Sequence, residues 1–290
     1  MIMKKPLLFC IILMATVFST DVMAQLKVIY PNVNRQGKDL FGYSALKLAL
    51  ENSGKDFDLR VTQAGVNDTR IRRMLRSKTI SIADFGTSAE FEQEFYPIYF
   101  PIDLGLNGWR IFLIHKENRS LFAQINTVEG LRTKTAGQGI GWADVEILEN
   151  AGLKVVTSSH IENLIGMVEA KHFDYFPLGA NEAHSLLDTY SQQGPNVVVE
   201  PTLLLIYPFG RLFFVHKDNK ELHDTVQIGL IKSFENGSFW ELFQSHPSNH
   251  ALFVKANLKN RNQILIDNPH MTKAFKKIPQ KYFFNLSMLD

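Results

Sequence analysis

The chain reads as an α/β protein of two lobes joined by two crossing strands, and three observations lead there. The segment Arg110-Ile-Phe-Leu-Ile-His-Lys-Glu-Asn-Arg-Ser-Leu121 recurs as Arg211-Leu-Phe-Phe-Val-His-Lys-Asp-Asn-Lys-Glu-Leu222, with Arg, Phe, His, Lys, Asn and Leu identical. Each copy reads as a buried apolar strand closed by a polar turn and a helix start. Two such strands flanking a long stretch suggest a chain that crosses to a second lobe and later crosses back; a chance match is the alternative. Apolar β-runs also alternate with helical runs, the pattern of a sheet with largely parallel strands. Finally, no low-complexity linker interrupts the chain, so the lobes read as rigid and joined by short strands.

Taken in order, 26–30 is a strand halted by Pro31, and 39–52 a helix with apolar residues near helical spacing and Gly54 as its stop. Segment 57–62 alternates as a strand. Asn67 or Asp68 caps a helix to Arg76 whose arginines face outward. Segment 79–85 is a strand, 88–94 an acidic stretch, and 98–106 leads through Gly108 into the first crossing strand. The middle of the chain has a capped turn at 127–131, strands at 133–137, 155–156 and 174–177, and helices at 142–150 and 161–170. The apolar run 197–207 precedes Pro208 and the return crossing. Helices at 222–234 and 238–243 follow, and the tail from Asn257 reads as one or two helices wrapping the first lobe.

Residues 1–24 have the form of a cleaved export signal: Lys4 and Lys5, an apolar run, then Val22-Met23-Ala24 at the cleavage position. The run is shorter than a membrane span of ~20 residues; an uncleaved anchor is the alternative. The chain's one cysteine, Cys10, lies within it, so the mature chain would hold no disulfide and depend on its core. The net charge of +2 gives no indication of nucleic acid or an anionic membrane as partner.

Three stretches, in order, resemble the periplasmic solute-binding proteins of the polar amino-acid group: the proline-aromatic segment Tyr96-Pro97-Ile98-Tyr99-Phe100-Pro101 before the first crossing, Thr127-Val-Glu-Gly-Leu131 with 133–141, and the return crossing with Phe234-Glu-Asn-Gly-Ser-Phe-Trp240. The resemblance covers about Leu26 to about Phe253 and implies a type II fold of two mixed sheets flanked by helices and joined by two hinge strands. It implies lobe 1 at 25–108 and 215–290 and lobe 2 at 109–214. It also implies capture of a small polar solute with hinge closure, with a membrane permease or a membrane sensor as partner, in the periplasm, as a monomer. Two departures from the pattern stand out. Gly86-Thr-Ser-Ala-Glu-Phe-Glu-Gln93 lacks the arginine with which relatives clamp a ligand carboxylate. The acidic residue that meets a ligand ammonium is likewise not evident in Phe176-Pro-Leu-Gly-Ala-Asn-Glu182.

Candidate ligand residues follow from the placement of loops at strand ends. Gln138, Gly139 and Trp142 lie in a glycine-rich strand-to-helix turn, where backbone can approach a ligand and a ring can cover it. Asp144 falls in the first helical turn, where capping is the plainer role. Thr87 and Ser88 can donate hydrogen bonds or cap the next helix, and Tyr30 can line the cleft or pack at an edge. Arg110 is the preferred substitute for the missing clamp, with Arg211 second; either can instead hold the lobes together. Glu90, Glu92 and Glu94 would not converge on one substrate from a helix, and no nucleophile elbow or metal-ligand spacing is present. No cofactor or metal is therefore expected and a binding protein is preferred; an enzyme on the same scaffold is the remaining alternative.

Overall fold

A computed structural model describes residues 25–33, 36–66 and 68–289; the proposed signal segment and the Asn67 cap lie outside them. Strand β1 (Leu26–Val33) leads to α1 (Phe41–Ser53), β2 (Phe57–Val66), α2 (Asp68–Arg76), β3 (Ile82–Gly86), α3 (Ala89–Glu94) and β4 (Tyr96–Ile98). The first crossing then enters β5 (Trp109–His115), followed by α4 (Arg119–Phe122), α5 (Val128–Arg132), β6 (Thr135–Gly139), α6 (Ala143–Asn150), β7 (Lys154–Ser158), α7 (Ile161–Glu169), β8 (Tyr175–Gly179) and α8 (Ala183–Thr189). Strands β9 (Val197–Val199), β10 (Leu203–Ile206) and β11 (Arg211–Val215) precede α9 (Lys220–Glu235), α10 (Ser238–Ser245), α11 (His250–Val254) and β12 (Asn262–Leu265).

Strand β1 runs past Pro31, where the sequence predicts a stop. Proline removes one ladder donor, and the pairing with β2 slips between Tyr30 and Asn32 but resumes beyond it. Gly54 closes α1 in the left-handed conformation, as its position predicts. β1 and β2 form a parallel pair, and β3, β11 and β4 an antiparallel group in the order β3-β11-β4. Ser81 joins the two: its N–H donates to the Ile29 carbonyl and its Oγ accepts from the Ile29 N–H.

The other body is built on a seven-stranded mixed sheet ordered β12-β10-β5-β8-β6-β7, with β9 also paired to β5. Strand β5 is apolar because both of its faces are covered. Ile111 and Leu113 join a cluster with Leu164, Ile165, Phe176 and Leu178, while Phe112 and Ile114 join Phe122, Leu148 and Tyr175 on the opposite face.

The tail differs from its sequence-based reading. Instead of helices confined to the first lobe, it places β12 parallel to β10 at the edge of the seven-stranded sheet, in the register Leu203↔Asn262 to Ile206↔Leu265. It then returns as short 3-10 turns, with Tyr282 against Phe100 and Phe234. Asn262 and Gln263 give the segment no apolar stripe, so its strand state depends on the partner.

Helices α1 and α9 pack with Gly229 against backbone; a Cβ there would lie 1.8 Å from the Ala49 carbonyl oxygen. The Gly229→Ala variant forces these helices apart and is expected to lose about 1–3 kcal/mol, as overpacked cores do. By contrast, a Cβ at Gly166 in α7 meets nothing closer than 3.9 Å, so Gly166→Ala is expected to gain about 0.5–1 kcal/mol from helix propensity. Thermal unfolding followed by circular dichroism checks the pair, at roughly 2–4 °C per kcal/mol.

Candidate functional site

The chain passes between its two bodies along 99–109 and again along 206–211, side by side. The Tyr207 N–H donates to the Gly108 carbonyl at 3.0 Å, and a Cβ on Gly108 would stand 2.1 Å from the Tyr207 oxygen. One buried carboxylate ties both passages. Asp103 accepts from Gly105 N–H (3.2 Å) and Asn107 N–H (2.9 Å) on its own passage and from Arg211 N–H (2.8 Å) on the return. Burial raises its pKa, and these backbone donors work in the opposite direction.

The repeated segment turns out to be a repeat of geometry as well. Each copy begins with an arginine paired to the last residue of a strand, Arg110 to Gly179 of β8 and Arg211 to Gly86 of β3. In each copy an aspartate holds the arginine and a tyrosine hydroxyl donates to the same aspartate. In the seven-stranded body these are Asp144 and Tyr207; in the other they are Asp84 and Tyr30. The histidines match too, since Nδ1 of His115 accepts the Glu117 N–H and Nδ1 of His216 accepts the Asp218 N–H. They are turn-closing residues in both places.

The two arginines differ in access. Arg110 is 3% exposed. Its Nη2 donates to Asp144 Oδ1, its Nε to the Tyr207 hydroxyl at 2.8 Å, and its Nη1 reaches Glu182 Oε1 at 3.4 Å. Burial disfavours its charge, but Asp144, Tyr207 and Glu182 outweigh that and its pKa is raised. The Tyr207 hydroxyl is pushed up by burial, with Arg110 opposing and Asp144 adding to the shift. The Arg211 side chain is 41% exposed. Its Nε and Nη2 bind Asp84 Oδ2 at 3.0 and 2.7 Å, and Nη2 also binds the Asp84 carbonyl at 3.1 Å. Its Nη1 makes no hydrogen bond among the described residues. A Cβ on Gly42, in the first turn of α1, would come within 2.5 Å of both Asp84 Oδ1 and the Tyr30 hydroxyl.

The remaining predicted residues fall around these two centres. Tyr30 is buried beneath Asp84. Thr87 is buried, with its hydroxyl donating to Glu92 Oε1 at 2.7 Å and its N–H to the Gly210 carbonyl on the return passage. Ser88 caps α3 by accepting the Phe91 N–H at 3.2 Å. Gln138 is fully buried; its Nε2 donates to the Pro177 carbonyl, and its Oε1 has no partner among the described residues. The Trp142 ring lies over Gly139, so close that a Cβ there would be 2.3 Å from it. Arg110 and Asp144 are therefore brought together, as partners of one another.

Asp84, Tyr207 and Glu182 escaped the sequence reading, and Glu92 entered it only as one of the acidic stretch 88–94. Asp84 carried a usable signal, being a charge in the otherwise apolar run Ile82-Ala83-Asp84-Phe85. The carboxylates weighed for catalysis do not converge. Glu90 and Glu94 face Arg72, and Glu94 also Arg76, while Glu92 accepts hydroxyls of Thr87, Tyr99 and Thr272. Among the described residues no group of His, Cys, Asp or Glu is placed to hold a metal, and no helix is long and apolar enough to cross a membrane.

Because Asp144 is buried against Arg110, the Arg110→Met variant strands a carboxylate away from water. The expected loss is about 3–5 kcal/mol, and adding Asp144→Leu to the same chain is expected to restore most of it. Denaturant unfolding of the two single variants and the double variant measures this as a cycle.

No protein-family model matches the chain, and no curated protein matches it significantly. Solved structures do match. An amino-acid ABC transporter substrate-binding protein from Streptococcus pneumoniae, bound to L-arginine, aligns with TM-score 0.51 at 14% identity over 79% of this chain and 95% of that one. A histidine kinase sensor domain with similarity to periplasmic binding proteins aligns with TM-score 0.54 at 12% identity, over 77% and 96%. The VFT2 domain of BvgS from Bordetella pertussis, a double mutant, aligns with TM-score 0.54 at 17% identity, over 75% and 91%. At these identities the likeness speaks for architecture. The chain has the two-lobed type II periplasmic binding fold shared by amino-acid-binding proteins and sensor domains.

Proposed function

We propose that this is an exported, monomeric solute-binding protein that captures a small polar solute between its lobes and closes on it, without catalysing a reaction. The observation that carries the reading is the placement of both arginine–aspartate–tyrosine centres where Arg110 and Arg211 start their strands against the carboxyl ends of β8 and β3, immediately beside the two passages. Ligands of open α/β sheets bind in that position. Lobe 1 comprises 25–108 and 215–290 and lobe 2 comprises 109–214, except that β11 (Arg211–Val215) already pairs with β3 and β4 of lobe 1 and the tail lends β12 to the sheet of lobe 2. Within the site Arg211 takes the role first given to Arg110. Asp84 fixes one edge of its guanidinium, and the other edge is left for an anionic group of the solute. Arg110, Asp144, Tyr30 and Thr87 position the walls. Ser88, Gly139, Trp142 and Oε1 of Gln138, which has no partner among the described residues, supply further contacts.

Delivery to an ABC-type permease is one use of such a site. Reporting to a membrane signalling protein is the second, favoured by the alignment with a histidine kinase sensor domain and by the missing arginine in the loop after β3. Both uses require the same capture step, in which a solute selects the closed form from an existing equilibrium.

Native mass spectrometry of freshly purified protein, followed by a thermal-shift panel of organic acids, amino acids and sugars, tests the reading, since a ligand of the folded state raises Tm. A bound solute and a raised Tm are expected. Arg211→Met is expected to weaken that binding by roughly 10- to 100-fold, the scale of one charge-assisted hydrogen-bond set. Failure of every class in the panel, with no co-purifying molecule, counts against capture; unchanged affinity in the variant counts against Arg211 alone.

A further inference from the structure

The tail does more than finish the fold. After α11 the chain leaves the first lobe at 255–261, adds β12 to the sheet of the second, and comes back at 267–272. On the second lobe it is held firmly. Arg261, buried, donates to the carbonyls of Ala256 (2.7 Å), Glu200 (2.5 Å) and Leu203 (3.0 Å). Asn262 N–H donates to Thr202 and Ile266 N–H to Ile206, and His270 reaches Asn150 of α6 at 2.9 Å. On the first lobe the Thr272 hydroxyl donates to Glu92 Oε2 at 2.6 Å, and Tyr282 packs between Phe100 and Phe234.

Between those anchors the tail touches both main passages. Asn268 Nδ2 donates to the Pro208 carbonyl of the return passage at 2.8 Å, and Phe284 N–H to the Leu104 carbonyl of the first at 2.8 Å. Phe283 lies over Gly105, where a Cβ would come within 2.7 Å of its ring. Gly105 has φ +75, a conformation few other residues adopt, at the position where a passage must bend.

We propose that residues 255–284 form a strap, a second pair of passages bound to the hinge itself, which sets the angle between the lobes and limits how far they open. Hinge motion concentrates backbone rotation in a few residues. Here the carbonyls of two such residues, Leu104 and Pro208, are engaged by the strap, so opening must move it or break its bonds. The strap also reaches the candidate site. Thr272 and Thr87 donate to opposite oxygens of Glu92, so displacement of the tail is felt by the loop that follows β3. The inference concerns regulation of the proposed site and rests on the lobes moving, but not on which solute is bound.

The test uses the full-length chain with Cys10→Ser and spin labels on cysteines placed at Lys47 and Lys154, one on each lobe, with no ligand added. Pulsed electron paramagnetic resonance is expected to show a narrow distance distribution in this parent and a broadened or shifted one when Asn268→Ala and Thr272→Val are added. Identical distributions, or a parent already broad, overturn the strap. Should the combined variant not fold, hydrogen exchange on the unmodified chain decides. The amides of Asn262, Ile266 and Phe284 are expected to exchange as slowly as those of β5, and a tail that exchanges well ahead of β5 is a loose appendage and sinks the proposal. Solute binding can fail in the earlier panel while these readouts stand, so the two ideas fall separately.

Discussion

The arrangement depends most on the Asp103 carboxylate, which receives three backbone N–H groups from two stretches of chain far apart in sequence. Where two passages run between bodies, their polar groups face each other away from water and must find partners. Asp103 supplies acceptors for Gly105, Asn107 and Arg211 at once. Burial works against keeping its charge there and prevails in a raised pKa, while the converging donors offset part of that shift. The bond to Arg211 N–H has a further effect, because it fixes the first residue of β11. The Arg211 side chain then starts from a set point and meets Asp84 across the β3 pairing.

From that waist the two halves of the repeat diverge by burial and not by pattern. Arg110 is enclosed with three side-chain partners, and an enclosed ion pair contributes little net stability over an apolar substitute. What it offers is orientation, tying the start of β5, the first turn of α6 and the residue after β10 to one point. Arg211 shares the aspartate and tyrosine but keeps one edge in solvent. A guanidinium immobilised on one side and open on the other is prepared for a second acceptor, whereas a saturated one is not. The same local chemistry therefore yields a structural clamp in one lobe and an available one in the other.

Much of this was legible in the residues. The repeat announced itself because Arg, His and Asn each have a fixed local duty: pairing at a strand start, closing a turn, and, in the second copy, capping a helix through Asn219. The alternation of strands and helices was visible because buried β-strands such as β5 and β11 carry an unbroken apolar run, Ile111 to Ile114 and Leu212 to Val215, behind a single arginine. The partners of the arginines were harder to see, since Asp84 and Tyr30 lie on different strands and Tyr207 ends a run that reads simply as β. Strand β12 was illegible for a stronger reason. Asn262 and Gln263 are exposed, Leu265 projects into solvent, and Ile264 alone is buried, so only the edge of β10 makes it a strand. Tertiary pairing overrides weak local preference there. Helix α8 was missed for a different reason: its stripe of Ala183, Leu186 and Leu187 packs on the core but is only two turns long, and only Ala183 is fully buried.

A tail that engages the hinge bears on why one architecture serves both delivery and sensing. Apparent affinity of a closing protein is its intrinsic affinity reduced by the fraction of molecules already in the competent arrangement. A chain with two bare passages leaves that fraction to the hinge. Extra passages that bond to Leu104 and Pro208 restrict the accessible angles before any solute arrives, which reduces the ordering cost of binding. They also give closure a mechanical outlet away from the cleft, through Thr272 and the turns that follow it. The partner that reads closure then need not touch the site: it can read the position of a segment that lies on both lobes.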